Sequence, residues 1–253
     1  GFTNRVVDAA IAVIGRDPEL TSITREDARK IRDHMLDRVK VTGRGVGGKV
    51  SASTVGRELS ILSAVVNYGI RELGLPDTTA NPFHGLPVAR VAKGRGQKPG
   101  EKRDPFPPEV LKATRQRVLS ACSPSLQLVW RLLEGTGCRL AEVTGLTVED
   151  VDVSGPFPNL RVTWNENRRL KTETSRRHVP LVGDALEAAK EALKLAKGST
   201  MLFPEYGRDR GGDAASAALM RQVRKVTTDD KHVVHSLRHN MKDRLMLAEV
   251  ASL

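Results

Sequence analysis

Apolar residues recur at helical spacing through most of the first half of the chain. Val6, Val7, Ala10, Ile11 and Ile14 fall on one side of a helix predicted over 2–14. Thr24 is a good N-cap, and Asp27 three residues on makes a variant of the capping box. Ile31, Met35 (with Leu36) and Val39 carry that second helix forward. The strongest helical pattern follows in "SASTVGRELSILSAVVNYGIRELGL". Its stripe is Val55, Leu59, Leu62, Val65 or Val66, and Ile70, and Gly74 and Pro76 end it.

The periodicity then stops. "NPFHGLPVARVAKGRGQKPGEKRDPFPP" opens on Asn81-Pro82 and mixes Gly and Pro with positive charge, so it is expected to be a linker. This divides the chain into a helical domain at 1–88, a basic linker at 89–106 and a second domain at 107–253.

The second half mixes two periods. A helix is predicted from Pro107-Pro108 to near Ala121. "SLQLVWRLLEGTG" is apolar nearly all round, which marks a buried helix stopped at Gly135 and Gly137. "CRLAEVTGL" makes a short helix beside that turn. "NLRVTWN" and "RRHVPL" alternate like strands, joined by the polar "ENRRLKTETS". Two helices follow, with Asp184 and Asp213 expected as N-caps. The last helix begins near Ser236, with Leu237, Met241, Leu245 and Ala248 on its inner face. The fold class is therefore α+β: mainly α, with a small antiparallel β-sheet.

Charge adds a partner to this picture. The formal net charge is +11 over 253 residues, and such an excess points to a polyanion, most simply nucleic acid. The candidate DNA contacts are Arg90, Lys93, Arg95, Lys98, Lys102 and Arg103 of the linker, with Lys49 and Arg57 upstream. No apolar run reaches the ~20 residues of a membrane span, and the start does not fit a signal peptide. It also lacks an initiator Met, so a fragment or processed form is expected. Cys122 and Cys138 lie in apolar surroundings without metal spacing, which predicts reduced, buried thiols suited to a cytosol.

Three stretches carry candidate chemistry. In "GTGCRLAEVTGL", Arg139 follows a Gly-rich turn into a helix start, a combination that suits a phosphate. A surface arginine paired with Glu142 at i+3 is the alternative. In "RRLKTETSRRHVPL", Lys171 sits on a turn between strands, where it can reach a phosphate or simply be solvated. In "HSLRH", Arg238 can hold two anionic oxygens and His235 can move a proton near neutral pH. A core-capping His with an ion-paired Arg is the rival there.

Two other motifs fail. "TGRGVGGKVSAS" places Gly43 and Gly48-Lys49 like a phosphate loop, but Val50 stands where a hydroxyl is needed, and a helix precedes it. His235 and His239 are spaced like zinc ligands, but Ser236 replaces the Glu, and no third ligand follows by spacing. Neither a metal nor another cofactor is expected. Two arginines, a lysine and a histidine are instead what metal-free phosphoryl transfer needs around a phosphate.

These residues resemble those of a known family, the tyrosine recombinases of the phage-integrase type. "GTGCRLAEVTGLTVEDVD" is similar to the box of the family's first catalytic arginine, which makes Arg139 that arginine and Glu142 its acidic partner. "LKTETSRRHVPL" resembles the segment carrying the catalytic lysine, here Lys171. "HSLRH" resembles the His-x-x-Arg box, with His235 and Arg238, and "LFP" at 202–204 also matches family usage. The helical first half resembles the core-binding domain, including its closing Asn81-Pro82.

The resemblance implies a site-specific recombinase that cuts and rejoins double-stranded DNA through a 3′-phosphotyrosyl link. Arg139 and Arg238 would clamp the phosphate, Lys171 would protonate the leaving oxygen, and His235 would assist. Active members assemble as tetramers on DNA, and a bacterial cytoplasm would be the setting. The sequence departs from the family in one respect. No Gly-His box and no tyrosine follow "HSLRH"; Tyr68 and Tyr206 both lie upstream. The chain is thus expected to bind DNA without cleaving it, as part of a longer integrase. A DNA-binding or regulatory protein derived from the same fold is the alternative, and a type IB topoisomerase shares similar chemistry.

Overall fold

Thr24 begins its helix as its sequence predicts. Its hydroxyl accepts the Asp27 N–H at 3.1 Å, and the Asp27 carboxylate accepts the Thr24 N–H at 3.0 Å, so two donors at the helix start are satisfied reciprocally. In this computed structural model, residues 1–41, 46–76, 79–94, 103–166 and 176–248 are described. The chain divides into two units, Gly1–Glu101 and Lys102–Leu253.

The first unit is helical. Helices α1 (Phe2–Ile14), α2 (Arg25–Asp37) and α3 (Ala52–Glu72) pack on one another. Val6, Ala10, Ile31, Met35, Leu36, Val55, Leu59, Leu62 and Val66 form the core. Of the paired options in the α3 stripe, Val66 is buried and Val65 is exposed. Val39 corrects the expected α2 stripe, because the helix ends at Asp37 and Val39 is exposed. It starts a short antiparallel pairing in which the Val50 N–H donates to the Arg38 carbonyl and the Lys40 N–H to that of Gly48.

The expected linker is narrower than its composition suggests. Phe83 and Ala92 are buried in the first unit, and a short helix α4 (Ala89–Gly94) packs against α3. Asn81 pins this segment by donating to the Ser63 carbonyl at 2.8 Å and accepting the Phe83 N–H at 2.9 Å. At the other end, Phe106 belongs to the core of the second unit. Burying these apolar side chains outweighs the Gly and Pro content around them.

The second unit contains α5 (Pro108–Ala121), α6 (Pro124–Thr136), α7 (Leu140–Thr144), α8 (Gly183–Leu195), α9 (Gly211–Val223) and α10 (Ser236–Leu247). A three-stranded antiparallel sheet runs β1 (Val151–Asp152), β2 (Asn159–Val162), β3 (Arg177–Pro180). Leu160 pairs with Val179 and Val162 with Arg177. Leu160 and Val162 are fully buried. Cross-strand partners share a face, so Arg177 lies on the inward side of the sheet.

Helix α6 is buried as its composition predicts, and Gly135 lies inside it rather than ending it. A Cβ on Gly135 would sit 2.6 Å from the Ala185 Cβ of α8, so glycine is what allows these helices to approach so closely. Gly137, at φ +64°, is the stop.

Asp184 and Asp213 are not N-caps; both lie inside the first turn, behind Val182 and Arg210. Asp184 instead takes ion pairs from Arg115 at 2.6 Å and Arg131 at 2.7 Å. These outcompete a cap because each is a charge-assisted bond. In α10, Leu237 is buried but Leu245 and Ala248 are exposed. The predicted inner face therefore holds only for the first turns of that helix. Of the two thiols, Cys138 is buried and Cys122 only partly so.

Candidate functional site

The site is assembled where α6 ends. Gly137 turns the chain, Arg139 becomes the N-cap of α7, and Glu142 lies one turn on. The Glu142 carboxylate accepts the Arg139 N–H at 2.7 Å and its guanidinium at 2.8 Å. The i+3 pairing considered from the sequence therefore forms. The Arg139 N–H is also taken by Glu142.

A third residue joins them that sequence reasoning did not single out. Arg177 reaches from β3 and donates to both Glu142 oxygens, at 2.8 and 3.2 Å. The Glu142 side chain is only 6% exposed. Despite that burial, bonds from Arg177 and Arg139 hold its carboxyl down to about 2. A signal was available: period-2 alternation puts Arg177 on the face of Val179, and an inward arginine requires a buried acid.

Arg238 comes from α10. Its Nη1 donates to the Gly137 carbonyl at 2.7 Å, using one of five guanidinium donors. His235 is the N-cap residue of α10, outside the helix proper, and its ring meets His239 edge-on at 5.3 Å between centroids. Burial pushes the His235 imidazole below its usual value, and His239, Arg238, Arg139 and Arg103 add to this through their charges. Through Gly137, Arg238 and the His235 that precedes its helix are brought to the turn that carries Arg139.

Two tethers hold this end of α10. Asn240 accepts the Phe106 N–H at 3.0 Å and donates to the Phe106 carbonyl at 2.7 Å. Arg103, expected on a loose linker, donates to the Asp230 carbonyl at 2.7 Å, and Asp104 pairs with Lys231 at 3.3 Å. Arg103 is thus fixed beside the loop that leads into "HSLRH".

Arg57, Arg90 and Lys93 are exposed on α3 and α4 of the first unit, while Lys49 pairs with Asp37 at 3.0 Å. Lys171, Arg95, Lys98 and Lys102 lie outside the described residues. Among the described residues no group of His, Cys, Asp and Glu could hold a metal ion, and no helix is long and apolar enough to cross a membrane.

Two arginines and a histidine thus lie where a buried helix ends, in a mainly helical unit with a three-stranded antiparallel sheet, which is the class of fold found in integrase catalytic domains. The phage integrase family model matches residues 109–251, and the chain belongs to that family. It is similar to tyrosine recombinase XerD of Corynebacterium glutamicum, 25% identical over 87% of this chain and 71% of the relative. To tyrosine recombinase XerC of Rhizobium meliloti it is 27% identical over 90% of this chain and 67% of the relative.

Solved structures share the fold. The Tn1549 transposon integrase in complex with circular intermediate DNA matches with a TM-score of 0.65 at 19% identity, covering 92% of this chain and 76% of that one. A lambda integrase tetramer bound to a Holliday junction matches at 0.66 and 16%, over 99% and 67%.

Proposed function

We propose that this chain binds double-stranded DNA and holds a scissile phosphate as part of a site-specific recombinase. The observation that carries the reading is the grouping of Arg139, Arg238 and His235, drawn from segments about a hundred residues apart, in a member of the phage integrase family. Fixed cations favour the charge that grows on a phosphate in its transition state. Arg139 and Arg238 clamp the non-bridging oxygens, and His235, whose imidazole burial and neighbouring charges push below its usual value, accepts or shares a proton. Lys171 protonates the leaving oxygen.

The first unit serves as the core-binding domain, with Arg57, Arg90 and Lys93 on the DNA backbone; Arg95, Lys98, Lys102 and Arg103 are further DNA contacts in this reading. Lys49 contributes less because Asp37 neutralises it. DNA-bound relatives, including a tetramer on a Holliday junction, support duplex DNA and further subunits as partners. The setting is the cytoplasm of a bacterial host, with the gene carried by a phage or genomic island.

In this reading these 253 residues bind DNA but do not cleave it. The family's nucleophile follows the His-x-x-Arg box, whereas Tyr68 and Tyr206 both precede it. Incubation with a nicked suicide duplex tests this: no covalent protein–DNA product is expected. A covalent product lost on Tyr206→Phe would overturn the assignment. Duplex binding is expected to weaken steeply with salt, and a flat salt response would sink the DNA reading altogether.

A further inference from the structure

Sequence motifs leave Arg177 unassigned, and geometry puts it behind the clamp. Each oxygen of Glu142 takes two hydrogen bonds: Oε1 from the Arg139 and Arg177 guanidiniums, Oε2 from the Arg139 N–H and Arg177. A carboxylate offers about four lone-pair sites, so these four bonds fill it. Without Arg177, half of that capacity would open, and the Arg139 guanidinium could swing into a full two-pronged pair with Glu142.

Charge points the same way. A lone Arg139–Glu142 pair is neutral as a unit and attracts a phosphate weakly. One carboxylate shared between two guanidiniums leaves a net positive charge beside Arg238. Register explains how Arg177 can do this, because its pairing with Val162 sends it inward from the sheet. Cys138, whose Sγ lies 3.7 Å from Arg177, closes the other side.

We propose that Arg177 is a positioning residue of the phosphate clamp, occupying the Glu142 carboxylate so that Arg139 is left to face the anion. The inference rests on the clamp reading above. It gives β3 a share in the site that is independent of Lys171.

The test uses the whole 253-residue protein and inorganic phosphate as probe, reading the His235 ring signals by NMR. A saturable shift is expected in the parent. Arg177→Ala is expected to weaken phosphate affinity by about tenfold, the scale of one charge-assisted bond. Arg177→Lys keeps the charge but loses the fork, and is expected to fall between them. In a Glu142→Gln background, Arg177→Ala should cost less than about twofold, since its intermediary is gone.

A merely structural role would lower the denaturation midpoint yet leave the folded protein's phosphate affinity unchanged; that result overturns the proposal. Parental affinity in Arg177→Lys overturns it too, because charge alone would then suffice. An undiminished loss in the Glu142→Gln background would show that Arg177 acts directly rather than through Glu142. If Arg177→Ala does not fold, Arg177→Lys with and without Glu142→Gln still decides. Absence of any phosphate shift in the parent instead removes the clamp reading itself, a different failure.

Discussion

Arg238 and Gly137 stand 101 residues apart in the chain yet share a 2.7 Å hydrogen bond from guanidinium to carbonyl. The bond fastens α10 to the turn that launches Arg139, and Arg244 reinforces it by donating to the Glu134 carbonyl. Both arginines meet carbonyls at the end of α6, where a helix dipole favours positive charge. Gly137 is required twice over. Its φ of +64° suits glycine, and a Cβ there would lie 2.8 Å from the Met241 Cβ and Cγ. Gly137→Ala is expected to cost about 1–3 kcal/mol, read as a lower urea midpoint, and to weaken phosphate binding by displacing Arg238.

Glu142 gives a pH signature. Its carboxyl is held down to about 2 from an ordinary 4.5, by bonds from Arg177 and Arg139 that overcome burial. A lowered carboxyl stabilises the fold above its unfolded value and loses that contribution as pH falls through its folded one. The shift corresponds to about 3 kcal/mol. Glu142→Gln should therefore be less stable than the parent by an amount of that order near pH 7. The gap should begin to close below about pH 4.5 and vanish near pH 2. Urea denaturation at a series of pH values measures it.

His235 titrates in the opposite setting. Burial lowers it, and His239, Arg238, Arg139 and Arg103 push in the same direction. Protonation below its usual value thus opposes the free fold, whereas a phosphate beside it favours protonation. DNA binding is expected to take up a proton, and affinity at fixed salt should rise as pH falls from about 7.5 to 6. His235→Gln should flatten that slope, measured by fluorescence anisotropy of labelled duplex. An unaltered slope would assign the proton elsewhere.

Asn240 is a stability residue with a consequence for the site. It satisfies both the N–H and the carbonyl of Phe106. Asn240→Ala leaves those groups without this partner and is expected to cost about 2–3 kcal/mol, seen in the urea midpoint. Asn240→Asp keeps the acceptor and loses the donor, so it should fall between alanine and the parent.

On the first unit, Arg90 and Lys93 are exposed on α4. Replacing either with alanine should lower the slope of log affinity against log salt by about one. Lys49→Ala, already neutralised by Asp37, should change it less. Salt titrations of duplex binding compare the three.

The helices were legible in the sequence because their apolar stripes match burial directly, as Val55, Leu59, Leu62 and Val66 show. What misled was chemistry acting over long separations. Asp184 looks like a cap locally, but Arg115 and Arg131, remote in sequence, claim it. Leu245 continues a helical stripe, yet among the described residues it is left exposed. Phe83, Ala92 and Phe106 were hidden in a basic, proline-rich stretch whose composition suggests no core. Short motifs point to Arg139, His235 and Arg238. No motif points to Arg177; its one signal is the alternation that sets it on the face of Val179, and its partner Glu142 lies 35 positions away.

The contact between Gly135 and Ala185 is a matter of tolerance. Machinists locate a part by pressing it on a datum surface; here the bare backbone of α6 rests on an alanine of α8, with no room for one more methyl. Only four positions separate Gly135 from Arg139. Bulk added at either residue would therefore tilt the end of α6 like a shim under a fixture. The placement of Arg139 is thus toleranced from a surface between two helices of the core.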